Sequence, residues 1–323
     1  MPANVLLIAI AIEYHQENIR VGKMNKKTQK TVLIIGGSGF VGRYLTEALS
    51  TAGFRIRIPT RNRERVKGAF IVLPNVELLQ TNITKLENLD SLIKGVDIVV
   101  NCIGILHESE KNDFFKFHEQ LVEQIVSSCN RGKVNRFIHI SALKCSSSAP
   151  SAYLRSKAAG EHMITSKLNT STAQHILRPS VIFGNGDSFL TMFAELSKWL
   201  PFIPLAMPKA KFQPIFIGDL VQLIMRCVNG SEHRQLIEVC GPKQYELIEL
   251  VNYASTFGRL RPIVLPIPNW AAHLQAMTFE ALNLNLITRD NLASMSLDNT
   301  TDLTDGAFQT SIESIAPTYL GKK

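Results

Sequence analysis

The chain has 323 residues, 45% of them hydrophobic and 19% charged, with a formal net charge of +8. That balance excludes a disordered or collagen-like protein and leaves room for one large α/β domain, or a domain with a smaller lobe. Cys102, Cys129, Cys145, Cys227 and Cys240 are odd in number and form no CxxC pair, so neither a disulfide framework nor a metal site is expected. A reducing compartment fits that usage. Lysine and arginine are spread along the chain without an RNA-binding motif, so no nucleic-acid partner is expected. The charge favours phosphates or an anionic membrane surface, or is simply a solvated surface.

Residues 1–30 read as a tail. Its apolar run Val5–Ile12 is too short to span a membrane, and Glu13 and Glu17 follow it closely. No signal, transit or transmembrane segment is expected, and Met24, ahead of Lys26 and Lys27, reads as the true start. The stretch Thr31–Gly42, TVLIIGGSGFVG, then predicts a buried strand, a glycine turn and a helix. Gly36, Gly39 and Gly42 stand at GxxGxxG spacing, and Val41, Leu45, Ala48 and Leu49 recur at helical spacing up to Gly53. In this context one glycine permits the tight turn, one admits a pyrophosphate to the backbone, and one lets helix and strand pack closely. The free N–H groups of the helix would hold the anion, so dinucleotide binding is the expected chemistry.

Strand and helix then alternate. Phe54–Pro59 predicts a second strand, ending at Thr60-Arg61-Asn62-Arg63. An acidic residue at that strand end selects the free ribose 2′-hydroxyl of NAD, and an arginine accommodates the 2′-phosphate of NADP. Arg61 and Arg63 stand there without Asp or Glu, tilting the cofactor from NAD(H) towards NADP(H). Val76–Gln80 predicts a third strand, with Asn82 and Ile83 where adenine would lie, and Val96–Cys102 a fourth, with Gly104 just past its carboxyl end. Phe114–Cys129 predicts a helix and Arg136–Ser141 a fifth strand, with His118 and His139 as packed side chains rather than ligands.

Ser141 is followed by Tyr153 and Lys157 in YLRSKAAGE, with Pro150 suited to the first helical turn. Tyr153 and Lys157 then share a helix face at i,i+4. A nearby ammonium favours the anionic phenol, so Tyr153 could exchange a proton near neutrality, with Ser141 bonding the substrate or the tyrosine oxygen. In the second half, Phe189–Leu200, Leu220–Val228 and Tyr245–Phe257 predict helices, and Gln235–Cys240 a last strand. Trp199–Pro208, WLPFIPLAMP, predicts an apolar loop, packed under its own lobe or meeting a quinone or membrane beside Lys198, Lys209 and Lys211. Pro262–Leu284 predicts a helix that covers the lobe or docks onto a partner.

GGSGFVG, NCIG, Ser141, YLRSK, LRPSVIFG (Leu177–Gly184) and FQPIFIGDL (Phe212–Leu220) together resemble the extended short-chain dehydrogenase/reductase family, of the NAD-dependent epimerase/dehydratase superfamily. NCIGILHE (Asn101–Glu108), SAYLRSKAAGE and ITRDNL (Ile287–Leu292) resemble its atypical branch, which includes the nucleotide-binding accessory subunit of respiratory complex I and bacterial relatives. The resemblance runs from about Thr31 to the C-terminus. It implies an α/β, doubly wound parallel Rossmann sheet with a smaller C-terminal lobe. Residues 31–183 would bind the dinucleotide, and 184–323 would mix a substrate or partner lobe with Rossmann elements returning over about 212–240. It further implies NADP(H) held by Gly36, Ser38, Gly39, Phe40, Gly42, Arg61, Asn82, Ile83, Gly104, Tyr153, Lys157 and Pro179, although many relatives carry Asp where Asn82 stands. Two functions stay open. One is an accessory or assembly component that meets complex I subunits and an anionic membrane surface, either cytoplasmic or peripheral on the inner face of the inner membrane. The other is an active reductase, epimerase or dehydratase on a quinone-related, lipid-like or sugar substrate, with Ser141, Tyr153 and Lys157 catalytic.

Overall fold

Every residue of the first strand, β1 (Thr31–Ile35), is buried, because the strand is covered on both faces. Val32 and Ile34 pack with Leu45, Leu49 and Leu220 on one side; Leu33 and Ile35 pack with Leu89, Ile125 and Val126 on the other. The computed structural model describes residues 29–108, 110, 112–282, 284, 286–302 and 308–321. The apolar run Val5–Ile12 and the start expected at Met24 lie outside the described residues.

After β1 come α1 (Phe40–Thr51), β2 (Arg55–Thr60), the single turn α2 (Arg63–Val66), β3 (Val76–Gln80), α3 (Leu86–Ile93) and β4 (Ile98–Asn101). A π-helical turn, Phe115–Gln120, leads into α4 (Leu121–Gly132), followed by β5 (Arg136–Ile140), α5 (Ala152–Lys167) and β6 (Ala173–Pro179). The chain continues through β7 (Ile182–Phe183), α6 (Phe189–Leu196), β8 (Phe202–Leu205), β9 (Lys211–Phe212), β10 (Ile215–Phe216), α7 (Ile217–Asn229) and β11 (Leu236–Val239). It ends with β12 (Tyr245–Glu246), α8 (Leu247–Ser255), β13 (Ile263–Pro266), α9 (Asn269–Ala281), α10 (Arg289–Ser294) and α11 (Ile312–Leu320).

Seven parallel strands form the central sheet in the order β11-β6-β5-β4-β1-β2-β3. The order reverses between β1 and β4, and a doubly wound sheet binds its ligand in the crevice at the carboxyl ends of such a pair. The glycine turn and the loop of Gly104 both leave the sheet at this edge.

A second core gathers Phe183, Leu190, Phe193, Leu247, Leu250 and Ile312 from the C-terminal elements. Two expectations for this part are corrected. Within Trp199–Pro208 the structure forms a strand, β8, paired in parallel with β13, so Pro262–Leu284 begins as a strand before turning into α9. Prolines hide such a pair in sequence, but a two-stranded sheet consists of edges, and an edge tolerates residues without an N–H. The stretch packs under its lobe on one face only: Ile203 and Leu205 are buried in this second core, while Trp199 is 80% exposed and Phe202 53%.

Candidate functional site

The turn after β1 is shaped by two glycines. Gly36 has φ +81°, which L side chains rarely adopt, and Gly37 N–H closes the turn onto the Ile34 carbonyl at 3.2 Å. Gly42 gives close packing: a Cβ there would lie 2.5 Å from both the Gly36 carbonyl oxygen and the Gly37 Cα. Gly39 is the N-cap residue of α1 and offers its N–H groups no side-chain cap, and no acid stands in the first turn. Ser38 and Phe40 flank it, and Phe40 stacks edge-on with Tyr44 at 5.7 Å. A helix N-terminus with uncapped N–H groups and no negative charge suits a pyrophosphate.

β2 lies beside β1, so Arg61 emerges, exposed, along the same carboxyl edge as the glycine turn. Asn62 caps α2, accepting from Arg65 N–H at 3.0 Å, and Glu64 is paired with Lys67. At the end of β3, the Asn82 side-chain oxygen accepts from Thr84 N–H and Oγ1 at 3.0 and 2.8 Å, so it already has two donors. Ile83 packs into the core cluster that holds Leu33 and Ile35.

Across the crevice, α5 starts at Ala152 with Ser151 as N-cap, accepting from Leu154 N–H at 3.2 Å. Pro150 therefore precedes the cap instead of forming the first turn. Lys157 is 3% exposed, and its Nζ donates to the Ile140 carbonyl at 3.0 Å and reaches the Ile103 carbonyl at 3.4 Å. Burial lowers its pKa to about 8, with Cys145, Glu161 and Cys102 opposing that shift. A Cβ at Gly104 would lie 3.4 Å from this ammonium, so the loop beyond β4 passes close over Lys157. Pro179, buried at the end of β6, accepts from Leu143 N–H at 3.1 Å and holds the neighbouring β5 loop.

Two expected pairings do not form. Burial pushes the Tyr153 phenol pKa up, and a charge at Cys145 adds to this; no lowering by Lys157 is found, because that ammonium is turned to backbone carbonyls. Ser141 is 4% exposed, and its Oγ contacts Cys145 Sγ at 3.5 Å rather than Tyr153. Cys145 in turn donates to Glu161 Oε1 at 3.0 Å, and Glu161 holds Arg178 with two bonds of 2.8 and 2.5 Å. Ser141 thus belongs to a buried chain that ties β5 and β6 to α5.

His118, from the π-helical turn, stacks against Phe114 and meets the Tyr153 ring edge-on at 5.7 Å. Its Nε2 accepts from Ile105 N–H at 3.1 Å, which leaves Nδ1 to donate to Ser156 Oγ at 2.9 Å. Burial lowers its pKa to about 2, so the ring stays neutral and joins the β4 loop to α5. His139 sits deeper, accepting from Asn101 Nδ2 at 3.1 Å, and burial holds it neutral as well. Sequence reasoning missed Asp290, whose carboxylate accepts from Ala152 N–H at 2.6 Å and Tyr153 N–H at 3.0 Å. Its one signal was its place in ITRDNL, since no spacing rule connects residues so far apart.

Residues 32–240 match the family described as "NAD dependent epimerase/dehydratase family". A relative in Mus musculus, "NADH dehydrogenase [ubiquinone] 1 alpha subcomplex subunit 9, mitochondrial", is 28% identical over 79% of this chain and 68% of its own length. A related mitochondrial subunit is spanned over 58% of its length. A "Ceramide reductase" of Caulobacter vibrioides is 27% identical over 74% of each chain. Among solved structures, the epimerase Mth375 of Methanothermobacter thermautotrophicus superimposes with a TM-score of 0.63 at 18% identity, covering 76% of this chain and 82% of its own, a likeness of fold. The parallel sheet, the glycine turn at its switch point and the family match agree: the chain belongs to the NAD dependent epimerase/dehydratase family.

Proposed function

We propose that the protein is an NADP(H)-binding accessory or assembly component of a respiratory NADH:quinone oxidoreductase, in which the nucleotide stabilises the fold. The similarity to the mitochondrial subunits supports this reading. The observation that carries it is the state of the side chains suited to proton transfer: Lys157 donates to backbone carbonyls, Ser141 contacts Cys145, and burial makes Tyr153 hold its proton more tightly than a free phenol. On this reading they line the crevice and do not turn the nucleotide over. Gly36, Ser38, Gly39, Phe40 and Gly42 would receive the pyrophosphate, and Asn82 and Ile83 the adenine. Gly104, Tyr153, Lys157 and Pro179 would border the nicotinamide ribose. Arg61, exposed and without an ion pair among the described residues, would take the 2′-phosphate and so select NADP(H) over NAD(H).

The C-terminal lobe would supply the docking surface. Trp270, Leu274 and Met277 follow one another at i, i+4 and i+7 on α9, all exposed, while Ala272 and Ala276 on the opposite side are buried. A helix apolar on both sides calls for a second covering. Phe202, Ile263 and Leu265 extend the apolar surface over the β8–β13 pair, with Lys209, Lys211, Arg259 and Arg261 exposed in the same lobe. Apolar anchors with basic neighbours suit partner subunits lying against an anionic membrane surface. No described helix is long and apolar enough to cross a membrane. The attachment proposed is peripheral, on the inner face of the inner membrane.

The second reading is a reductase, epimerase or dehydratase on a lipid-like, quinone-related or sugar substrate, favoured by the intact Ser141, Tyr153 and Lys157 and by the similarity to a ceramide reductase. The cofactor, when bound, supplies or accepts a hydride. Tyr153, kept protonated by burial, would be the proton donor to a substrate oxygen, a weaker acid than a free phenol, and Lys157 would hold the ribose. Native-gel analysis of membranes with a Tyr153→Phe strain separates the two. Comigration with the oxidoreductase and full complementation by Tyr153→Phe support the accessory role; NADPH oxidation abolished in the variant overturns it.

A further inference from the structure

Asp290 lies outside every strand of the sheet, yet both its oxygens serve the first turn of α5, one on Ala152 N–H and one on Tyr153 N–H. Ser151 serves the third N–H, on Leu154. Between them they satisfy three groups that a helix cannot pair internally, and the carboxylate stands at the positive end of the helix dipole. The next residue makes a second tie. Asn291 Nδ2 donates to the Leu106 carbonyl at 3.3 Å, on the loop that carries Gly104 past Lys157. Thr288 and Asn291 cap each other reciprocally, and Arg289 is paired with Glu280 of α9 at 2.8 Å. One short strap, Thr288–Asn291, thus joins the exposed helix of the lobe, the tyrosine helix and the β4 loop.

We infer that Asp290 is a positioning residue: it holds Tyr153 and the start of α5 in register for the nicotinamide end of the dinucleotide, with Asn291 doing the same for the Gly104 loop. The inference rests on the nucleotide reading above. The strap's hydrogen bonds reach α5, the β4 loop and α9, and none reaches the glycine turn or Arg61. Its effect is therefore confined to one half of the ligand.

The test is titration of Asp290→Asn with NADPH and with 2′-phospho-ADP, which lacks both the nicotinamide and its ribose. Loss of a charged acceptor predicts about a tenfold fall in NADPH affinity, while 2′-phospho-ADP stays within about twofold. An equal fall for both ligands, or none for either, overturns the inference. Asn291→Ala, which removes the Leu106 bond and half of the α10 capping box but keeps the Asp290 carboxylate for α5, is expected to give a smaller loss with the same selectivity. Hydrogen exchange in the nucleotide-free protein gives an independent reading, with the Ala152 and Tyr153 amides exchanging faster in Asp290→Asn. Unchanged exchange contradicts the strap. If the wild type binds neither ligand, the nucleotide reading fails, and the exchange experiment still decides the strap.

Discussion

The two sides of the switch-point crevice are built differently. The glycine turn comes from one contiguous stretch, Thr31–Gly42, and works through backbone: a left-handed Gly36, a Gly42 without room for a Cβ, and an uncapped helix N-terminus. The facing side is assembled from the β4 loop, the π-helical turn, α5 and the Thr288–Asn291 strap, and works through side-chain hydrogen bonds, buried at Lys157 and His118 and half-buried at Asp290. The first is fixed by local chain geometry. The second depends on contacts across the whole chain, which allows the lobe to influence it.

The largest expected effect breaks the first side. In Gly42→Ala the new methyl meets backbone atoms at 2.5 Å, so the turn or α1 must shift. Overpacking of this kind costs about 1–3 kcal/mol, and dinucleotide binding is expected to be lost with it. Thermal unfolding with and without NADPH measures both. A variant that melts like the wild type and still responds to NADPH removes the argument for a backbone-built site.

The next effect belongs to the second side. Lys157 is lowered to about 8 from the ordinary 10.5, so between those values the unfolded chain binds the proton and the folded one does not. Stability contributed by this group is therefore lowest below about pH 8 and rises from there towards pH 10.5. His118, lowered to about 2 from 6.5, has the complementary effect on the acid side: the unfolded chain takes a proton as pH falls through 6.5, and stability falls with it. Melting curves of the nucleotide-free protein should show the alkaline rise in the wild type and not in Lys157→Met. A rise of the same size in both would mean that another group supplies it.

The sequence made the first side legible and the second only in part. The individual strands, the glycine turn and the placement of Tyr153 and Lys157 on α5 follow from periodicity and short spacings, while the doubly wound sheet was implied by the family resemblance. The electrostatics of Tyr153 did not, because i,i+4 spacing puts a lysine near a tyrosine without saying which acceptor the ammonium will choose. Ile140 and Ile103 carbonyls, exposed by the ends of β5 and β4, take it instead. Asp290 was illegible for a related reason: its partners lie in α5, and only the completed fold brings them together. In the lobe, prolines masked the β8–β13 pair.

The smallest effect separates holding from turnover. Tyr153→Phe removes a hydroxyl for which no hydrogen-bond partner is found among the described residues, so it should change NADPH affinity by less than about twofold and stability by under about 0.5 kcal/mol. A large loss of affinity would show that the hydroxyl itself grips the ligand and would bring the second side closer to the first in kind.

The central claim is that the crevice between the glycine turn and α5 binds a nicotinamide dinucleotide that stabilises the fold. Its most direct test is the melting temperature of the wild-type protein, stripped of nucleotide and then titrated with NADPH and NADH. A ligand at a hundred times its dissociation constant contributes about 2.7 kcal/mol, so a rise of roughly 5 °C is predicted, reached at lower concentration with NADPH. An unchanged melting temperature at saturating concentrations of both nucleotides would contradict it.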